Sequence, residues 1–313
     1  MTAEDILMSP QLIKRFCRDY NVPVSTFQPP YFQNQLDTLS IHDPTYQMRF
    51  DEFVKEVTQY ANADEYFAHY NEVKDSIINH IMSHPQFQSF STMVYKGSNF
   101  SKKELYSELN HAKEFISIDL CKANFTIVNL NCPQLFEGKS WENVVEQFGG
   151  SSYLQHSKYI RQVIFGACNP KKQIQAQTAA MSDLATFLVS RGVNIYSVVT
   201  DEIIVEGGCF SDICNLVAAY TGIPTDTLKI ERFFLTHTNA GYVKTILGST
   251  DTKDIGKHKF KCVDGDYYCQ FVKYFYGKEI EQSDLMFDYK GTIAQFLHPI
   301  ENPWKDVRLR DAD

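Results

Sequence analysis

No apolar run in this chain approaches the roughly 20 residues a membrane-spanning helix needs, so no membrane partner is expected. The first sixteen residues carry acids at Glu4 and Asp5 and lack an apolar core ahead of a small-residue cleavage site, so they do not read as a signal peptide. The eight cysteines have no framework spacing, and most sit in apolar runs (Cys121, Cys168, Cys262, Cys269). That usage indicates reduced thiols and a cytoplasmic or nuclear protein. Cys209 and Cys214 with His258 and Cys262 match no compact zinc spacing. His80 and His84 stand four apart, but no Glu lies between them in the protease pattern and Pro85 ends the helix. Internal repeats and low-complexity tracts are absent too, so nothing in the sequence points to a solenoid.

Positive charge is also in short supply, with a formal net charge of −8, which argues against a nucleic-acid partner on the sum alone. The distribution argues the other way. From Gln147 to Ser182 there is no acidic residue, while Lys158, Arg161, Lys171 and Lys172 fall there. A second basic stretch, Lys244 to Lys261, sets Lys253, Lys257, Lys259 and Lys261 against Asp251 and Asp254. Taken alone, these are two solvated faces; they gain interest from flanking an acidic pair, Asp201-Glu202.

At 313 residues the chain can bury one large core or two modest ones. Residues 1–110 read as helical, with three- and four-residue apolar spacing over Phe50–Tyr70 and Val73–Met82. Residues 92–96 suggest a short strand leading to Lys96, Lys102 and Lys103. A strand is expected around Asp119, its apolar character running on to Leu130, then a short helix from Trp141 to Phe148 closed by Gly149-Gly150. Two helices should follow between Tyr153 and Arg191, with a turn at Asn169-Pro170. Val193–Val205 reads as a hairpin with its acids at the tip or shoulder, and Ser211–Tyr220 as a helix. Leu228–Leu235 and Gly241–Leu247 read as a strand pair, Lys257–Cys262 and Tyr267–Tyr276 as short strands, and Thr292–Leu297 as a helix. This order predicts an α+β fold, with helices packed on one face of an antiparallel sheet.

Two of these expected strands carry an acid where a polar group is costly to place: Asp119 in Phe115–Ile127, and Asp201 in Tyr196–Glu206. Two strands that bring carboxylates to one spot make a site for divalent cations, the usual apparatus of phosphoryl and nucleotidyl transfer.

The run Asp119-Leu-Cys-Lys-Ala-Asn124-Phe125 resembles motif A of reverse transcriptases, and Tyr196–Val205 resembles their motif C. Between them, Phe165–Pro170 leads into a helix with Gln173, Gln175, Gln177 and several alanines that resembles motif B. Lys158-Tyr-Ile-Arg161-Gln162-Val-Ile-Phe-Gly166 is similar to the Lys-x-x-x-Asn-Ser-x-Tyr-Gly helix of family-B DNA polymerases, and Thr200–Ile203 to their Thr-Asp-Ser-Ile. Glu202 replaces the second Asp of the reverse-transcriptase motif, and Val199 the first Asp of the family-B motif. The resemblance covers roughly residues 111 to 248.

It implies a right-hand polymerase-like fold with an antiparallel palm sheet backed by helices. Residues 1–110 would be a helical, fingers-like region, 111–248 the palm-like catalytic domain and 249–313 a small thumb-like region. It further implies a template-dependent nucleotidyltransferase using two Mg²⁺ (or Mn²⁺) ions on Asp119 and Asp201, with Glu202 as a third acid. The metals would activate a 3′-hydroxyl and neutralise the triphosphate. Lys158, Arg161 and Gln162 would contact the triphosphate, Asn124 and Phe125 the nucleotide, and Lys244 the primer or leaving group. Asn124 stands where DNA-synthesising relatives carry a bulky aromatic, which implies tolerance of ribonucleotides. The partners expected are nucleic acid (primer–template or single strand), nucleoside triphosphates and a further protein. The alternative is a catalytically degenerate palm-derived protein that binds nucleic acid or assists a polymerase.

Overall fold

The computed structural model describes residues 1–305 and 307. Its first helices are α1 (Ala3–Leu7), α2 (Pro10–Tyr20), α3 (Tyr31–His42), α4 (Thr45–Val57), α5 (Ala63–Ser83) and α6 (Pro85–Thr92). Then come β1 (Lys113–Leu120), α7 (Ala123–Asn131), α8 (Trp141–Gln147), α9 (Ser152–His156), α10 (Lys158–Ala167) and α11 (Pro170–Ser190). The hairpin β2 (Ile195–Val199) and β3 (Glu202–Glu206) is followed by α12 (Phe210–Ala219), β4 (Leu228–Thr238), β5 (Gly241–Ser249) and β6 (His258–Lys261). The last elements are α13 (Tyr268–Phe275), β7 (Met286–Tyr289) and β8 (Thr292–Gln295). No helix among the described residues is long and apolar enough to cross a membrane.

Contacts group the chain into two discontinuous units. One unit gathers residues 1–80, 139–164 and 263–306, and the other residues 81–138 and 165–262. The first is mainly helical. Phe16, Phe32, Phe50 and Phe53 meet edge-on or tilted in its core, with ring centroids 5.0–6.4 Å apart. Buried Gln35 ties its N-terminal helices to the C-terminal segment by donating to the carbonyls of Ser283 and Met286.

The second unit holds an antiparallel six-stranded sheet of order β2-β3-β1-β4-β5-β6. Its first four strands alternate with helices as β-α-β-β-α-β, the split βαβ arrangement in which β1 lies between β3 and β4. Strand alternation sorts the side chains of β1. Ile116, Ile118 and Leu120 face a core built with Met181, Leu184 and Leu188 of α11 and Ile213 and Val217 of α12. Phe115, Ser117 and Asp119 take the other face, where Phe115 packs with Leu105, Ile204, Phe233, Leu235 and Ile246.

Several boundaries follow local chemistry. Asn169, with φ 52°, caps α11 by accepting the Lys172 N–H, and Pro170 occupies the first helical turn, where no donor is needed. The strand at Asp119 stops at Leu120: Lys122 adopts φ 47°, and the apolar residues up to Asn131 form α7 instead of continuing the strand. Residues 93–96 are not a strand either, because α6 runs to Thr92 and the chain leaves it in irregular form. Tyr268–Phe275 is helical where a strand was expected. Thr292–Gln295 is a strand where a helix was expected, paired with β7 across Lys290 (φ 55°) and Gly291 (φ 87°). Two consecutive left-handed residues suit a two-residue hairpin turn.

Candidate active site

The split βαβ topology carries two acids from distant sequence positions to one end of one sheet face. Asp119 is the penultimate residue of β1 and lies directly opposite Glu202, the first residue of β3. Asp201 occupies the β2–β3 turn, and its carbonyl accepts the Leu120 N–H at 2.9 Å. Asp119, Asp201 and Glu202 are thus neighbours, all three half-buried.

Their electrostatics record that crowding. Burial first, then the Asp201 carboxylate, raises the Asp119 pKa, against the pull of Lys244. Glu202 is also raised by burial, with Lys244 opposing and Asp119 reinforcing. Neighbouring carboxylate charge therefore opposes the ionisation of Asp119 and Glu202, the condition a bound cation relieves.

Beside them, one register step away, lies a cluster that needs no cation. Lys229 of β4 faces Asp119, and Glu231 faces Ser117. Glu231 Oε2 accepts from Lys244 Nζ at 2.8 Å, and Oε1 from Lys259 Nζ at 2.6 Å and Lys229 Nζ at 3.0 Å. Lys229 also pairs with Asp254, which binds Lys257 at 2.9 Å and Lys259 at 3.4 Å. Burial alone would push the Glu231 carboxyl up, yet Lys244 and Lys259 hold it down to about 2. Desolvation likewise acts against Asp254 and is overridden by Lys229 and Lys257. None of these ion pairs reaches Asp119, Asp201 or Glu202.

The remaining expected residues divide. Asn124 begins the second residue of α7, and its Oδ1 accepts from Gln177 Nε2 at 2.7 Å, so α11 fixes the orientation of the amide. Phe125 does not line a site; it is buried against Phe136 and Phe165, with ring centroids 5.0 and 6.4 Å away. Lys244 is buried as well, bound to Glu231 and, at 3.1 Å, to Ser117 Oγ, which leaves its ammonium committed inside the protein. Lys158 and Gln162 are exposed on α10 and Arg161 is half-buried near Glu142, its pKa lowered by burial; all three belong to the helical unit, not to the one bearing the carboxylates. Lys102 bridges to Ser197 at the edge of β2, and Lys103 lies over the Tyr196 ring at 5.0 Å.

No protein-family profile, curated protein or solved structure matches this chain. Among the described residues no group of three or more His, Cys, Asp or Glu is placed to hold a metal ion. Two carboxylates are nevertheless enough for Mg²⁺, which commonly takes one or two from protein and the rest of its shell from water and substrate phosphates. The all-oxygen donors and the mutual repulsion of Asp119 and Asp201 fit that cation, and Mn²⁺ in its place.

Gln177 and the Glu231–Asp254 network were not singled out from sequence as site neighbours. Gln177 was visible as one of three amides on an otherwise small-residue helix. Glu231 was hidden, because its lysines come from three strands and as far as 28 residues away.

Proposed function

We propose that this protein is a metal-dependent nucleotidyltransferase of the palm type, with Asp119 and Asp201 as its metal ligands. The observation that carries the reading is the placement of Asp119, Asp201 and Glu202 at one end of a split βαβ sheet, outside the neighbouring ion-pair network. Bound Mg²⁺ or Mn²⁺ would supply Lewis-acid activation of a 3′-hydroxyl and neutralisation of the triphosphate. The chain's own residues do the rest. Asp119 and Asp201 hold the cations, Glu202 adds negative potential beside them, and Asn124, steadied by Gln177, presents an amide donor near the start of α7. A donor there suits a ribose 2′-hydroxyl, so ribonucleotides are accepted.

The direct test is primer extension with each nucleoside triphosphate type in Mg²⁺, for the unaltered protein and for Asp119→Ala and Asp201→Ala. Extension lost in both variants supports the reading; extension by neither the protein nor the variants sinks it. Strict use of deoxynucleotides would remove the ribose inference alone.

One observation favours a second reading, a palm-derived protein that binds nucleic acid or assists a polymerase without catalysis. Lys229 and Lys244, the two lysines that act on Asp119, are committed to Glu231 and Asp254 and are not free to hold a triphosphate. Strand binding that is indifferent to Mg²⁺ would favour this reading.

A further inference from the structure

The helical unit contains a basic cleft that takes no part in the carboxylate chemistry. Gln11, Lys14, Arg15 and Arg18 of α2 line it with Asp64, Phe67 and Asn71 of α5, around a volume of about 400 Å³. The spacing 11, 14, 15, 18 puts all four α2 residues on one helix face. Three are cations and one is a neutral donor, while Asp64 is the single acid in the lining.

Arg15 distinguishes the cleft from an ordinary solvated face. Its guanidinium lies 4.4 Å from the Tyr70 ring centroid, 5.0 Å from Tyr159 and 5.7 Å from Phe67. Its Nη1 is buried with no hydrogen-bond partner. Aromatic faces hold a guanidinium in place without consuming its in-plane donors; with Nη1 buried, the rest of the Arg15 fork is left for an acceptor. Behind it, Asp19 accepts from Tyr153 at 2.9 Å and from Ser157 at 2.8 Å. Burial raises the Asp19 pKa to about 6, against the opposing pull of Arg15 and those hydrogen bonds. Lys14, Arg15 and Arg18 make no ion pair among the described residues. Asn71 accepts from Lys74 at 2.9 Å, which leaves its amide N–H groups for another acceptor.

We infer that this cleft binds consecutive backbone phosphates of a single-stranded nucleic acid. From Gln11 to Arg18 the helix rises about 10 Å, more than one phosphate group spans. Arg15 takes one phosphate by its fork, and Lys14 and Arg18 take those on either side as charge-assisted donors. The half-buried Phe67 ring offers a base a stacking surface at the rim. None of these residues belongs to the proposed metal site, so the inference stands or falls apart from the nucleotidyltransferase reading.

The test is fluorescence anisotropy of a labelled oligothymidylate with the full chain, in EDTA and across a salt series. Lys14→Glu combined with Arg18→Glu alters two exposed side chains, so an unchanged melting temperature will verify folding. The expected result is at least a tenfold rise in Kd and a salt slope shallower by about 1.4, for two lost phosphate contacts on a single strand. Arg15→Lys keeps the charge and removes the fork, and should weaken binding severalfold. Asp119→Asn should leave the EDTA affinity unchanged even if it abolishes extension. An unchanged Kd and slope in the double variant overturns the inference. So does competition by inorganic triphosphate at concentrations, per phosphate, no higher than unlabelled oligonucleotide, because the cleft would then serve a small phosphate ligand.

Discussion

Around Glu231, two buried carboxylates, Glu231 and Asp254, meet four lysines, whereas two residues along β1, about 7 Å away, Asp119, Asp201 and Glu202 crowd together outside those ion pairs. The two clusters share a sheet face and a set of lysines within electrostatic range, yet their pKa values move in opposite directions. Glu231 and Asp254 are lowered, and Asp119 and Glu202 are raised. A cluster whose carboxylates are all ion-paired stabilises the fold and calls for no outside cation. A crowded, unneutralised one costs stability unless something outside the chain supplies positive charge. That contrast, more than the presence of acids, is the reason for placing the metals at Asp119 and Asp201.

The sharpest way to break the comparison is to remove one carboxylate from each cluster. Asp119→Ala should lower metal-dependent nucleotide transfer by about 10³-fold or more, the scale on which a preorganised electrostatic group acts. In contrast, its stability without metal should stay level or rise, because a repulsive carboxylate is gone. Glu231→Gln should do the reverse to stability. It leaves Lys244 without its carboxylate and Lys229 and Lys259 with Asp254 alone, and should cost about 3 kcal/mol, measured by urea unfolding. A stability loss in Asp119→Ala comparable to that of Glu231→Gln would mean that both clusters are structural.

Acid titration separates the clusters again. Glu231 is lowered from 4.5 to about 2, so its contribution is complete above about pH 4.5 and is lost as pH falls toward 2. Asp119 is raised from 3.8, so its contribution is present below that value and lost as pH rises through its higher folded pKa. Unfolding free energies from pH 2 to 7 should therefore fall steeply at the acid end, and Glu231→Gln should flatten that fall. Asp119→Asn should instead lift the neutral end. A smaller effect is expected of Mg²⁺ on the melting temperature. At 100 times Kd the ion adds about 2.7 kcal/mol, and Glu202→Gln should reduce that gain without removing it.

The elements that frame the carboxylates were legible because their punctuation is strong. Asn169-Pro170 marks the start of α11, Gly207-Gly208 ends the hairpin, and an acid in an apolar strand stands out wherever it occurs. The register that sets Asp119 opposite Glu202 was not legible, since it depends on which strands become neighbours. The errors fell on short apolar segments, where periodicity cannot distinguish helix from strand. Tyr268–Phe275 is rich in aromatic and β-branched residues but packs as a helix against α3, and Lys290-Gly291 was a hairpin signal passed over before Thr292. The burial of Lys244 was not legible, because its partner, Glu231, lies on a neighbouring strand across a bulge. The Lys14-Arg15-x-x-Arg18 face was readable at helical spacing, but it was submerged in a polar helical region and gains meaning from the aromatic rings that hold Arg15.

The most direct test of the metal-site account is anomalous diffraction from crystals grown with Mn²⁺ and a non-hydrolysable nucleoside triphosphate. The account predicts a Mn²⁺ peak bonded to both the Asp119 and Asp201 carboxylates, and its loss in Asp119→Asn. Ordered nucleotide with no metal on these carboxylates, or Mn²⁺ held elsewhere in the chain, would contradict it.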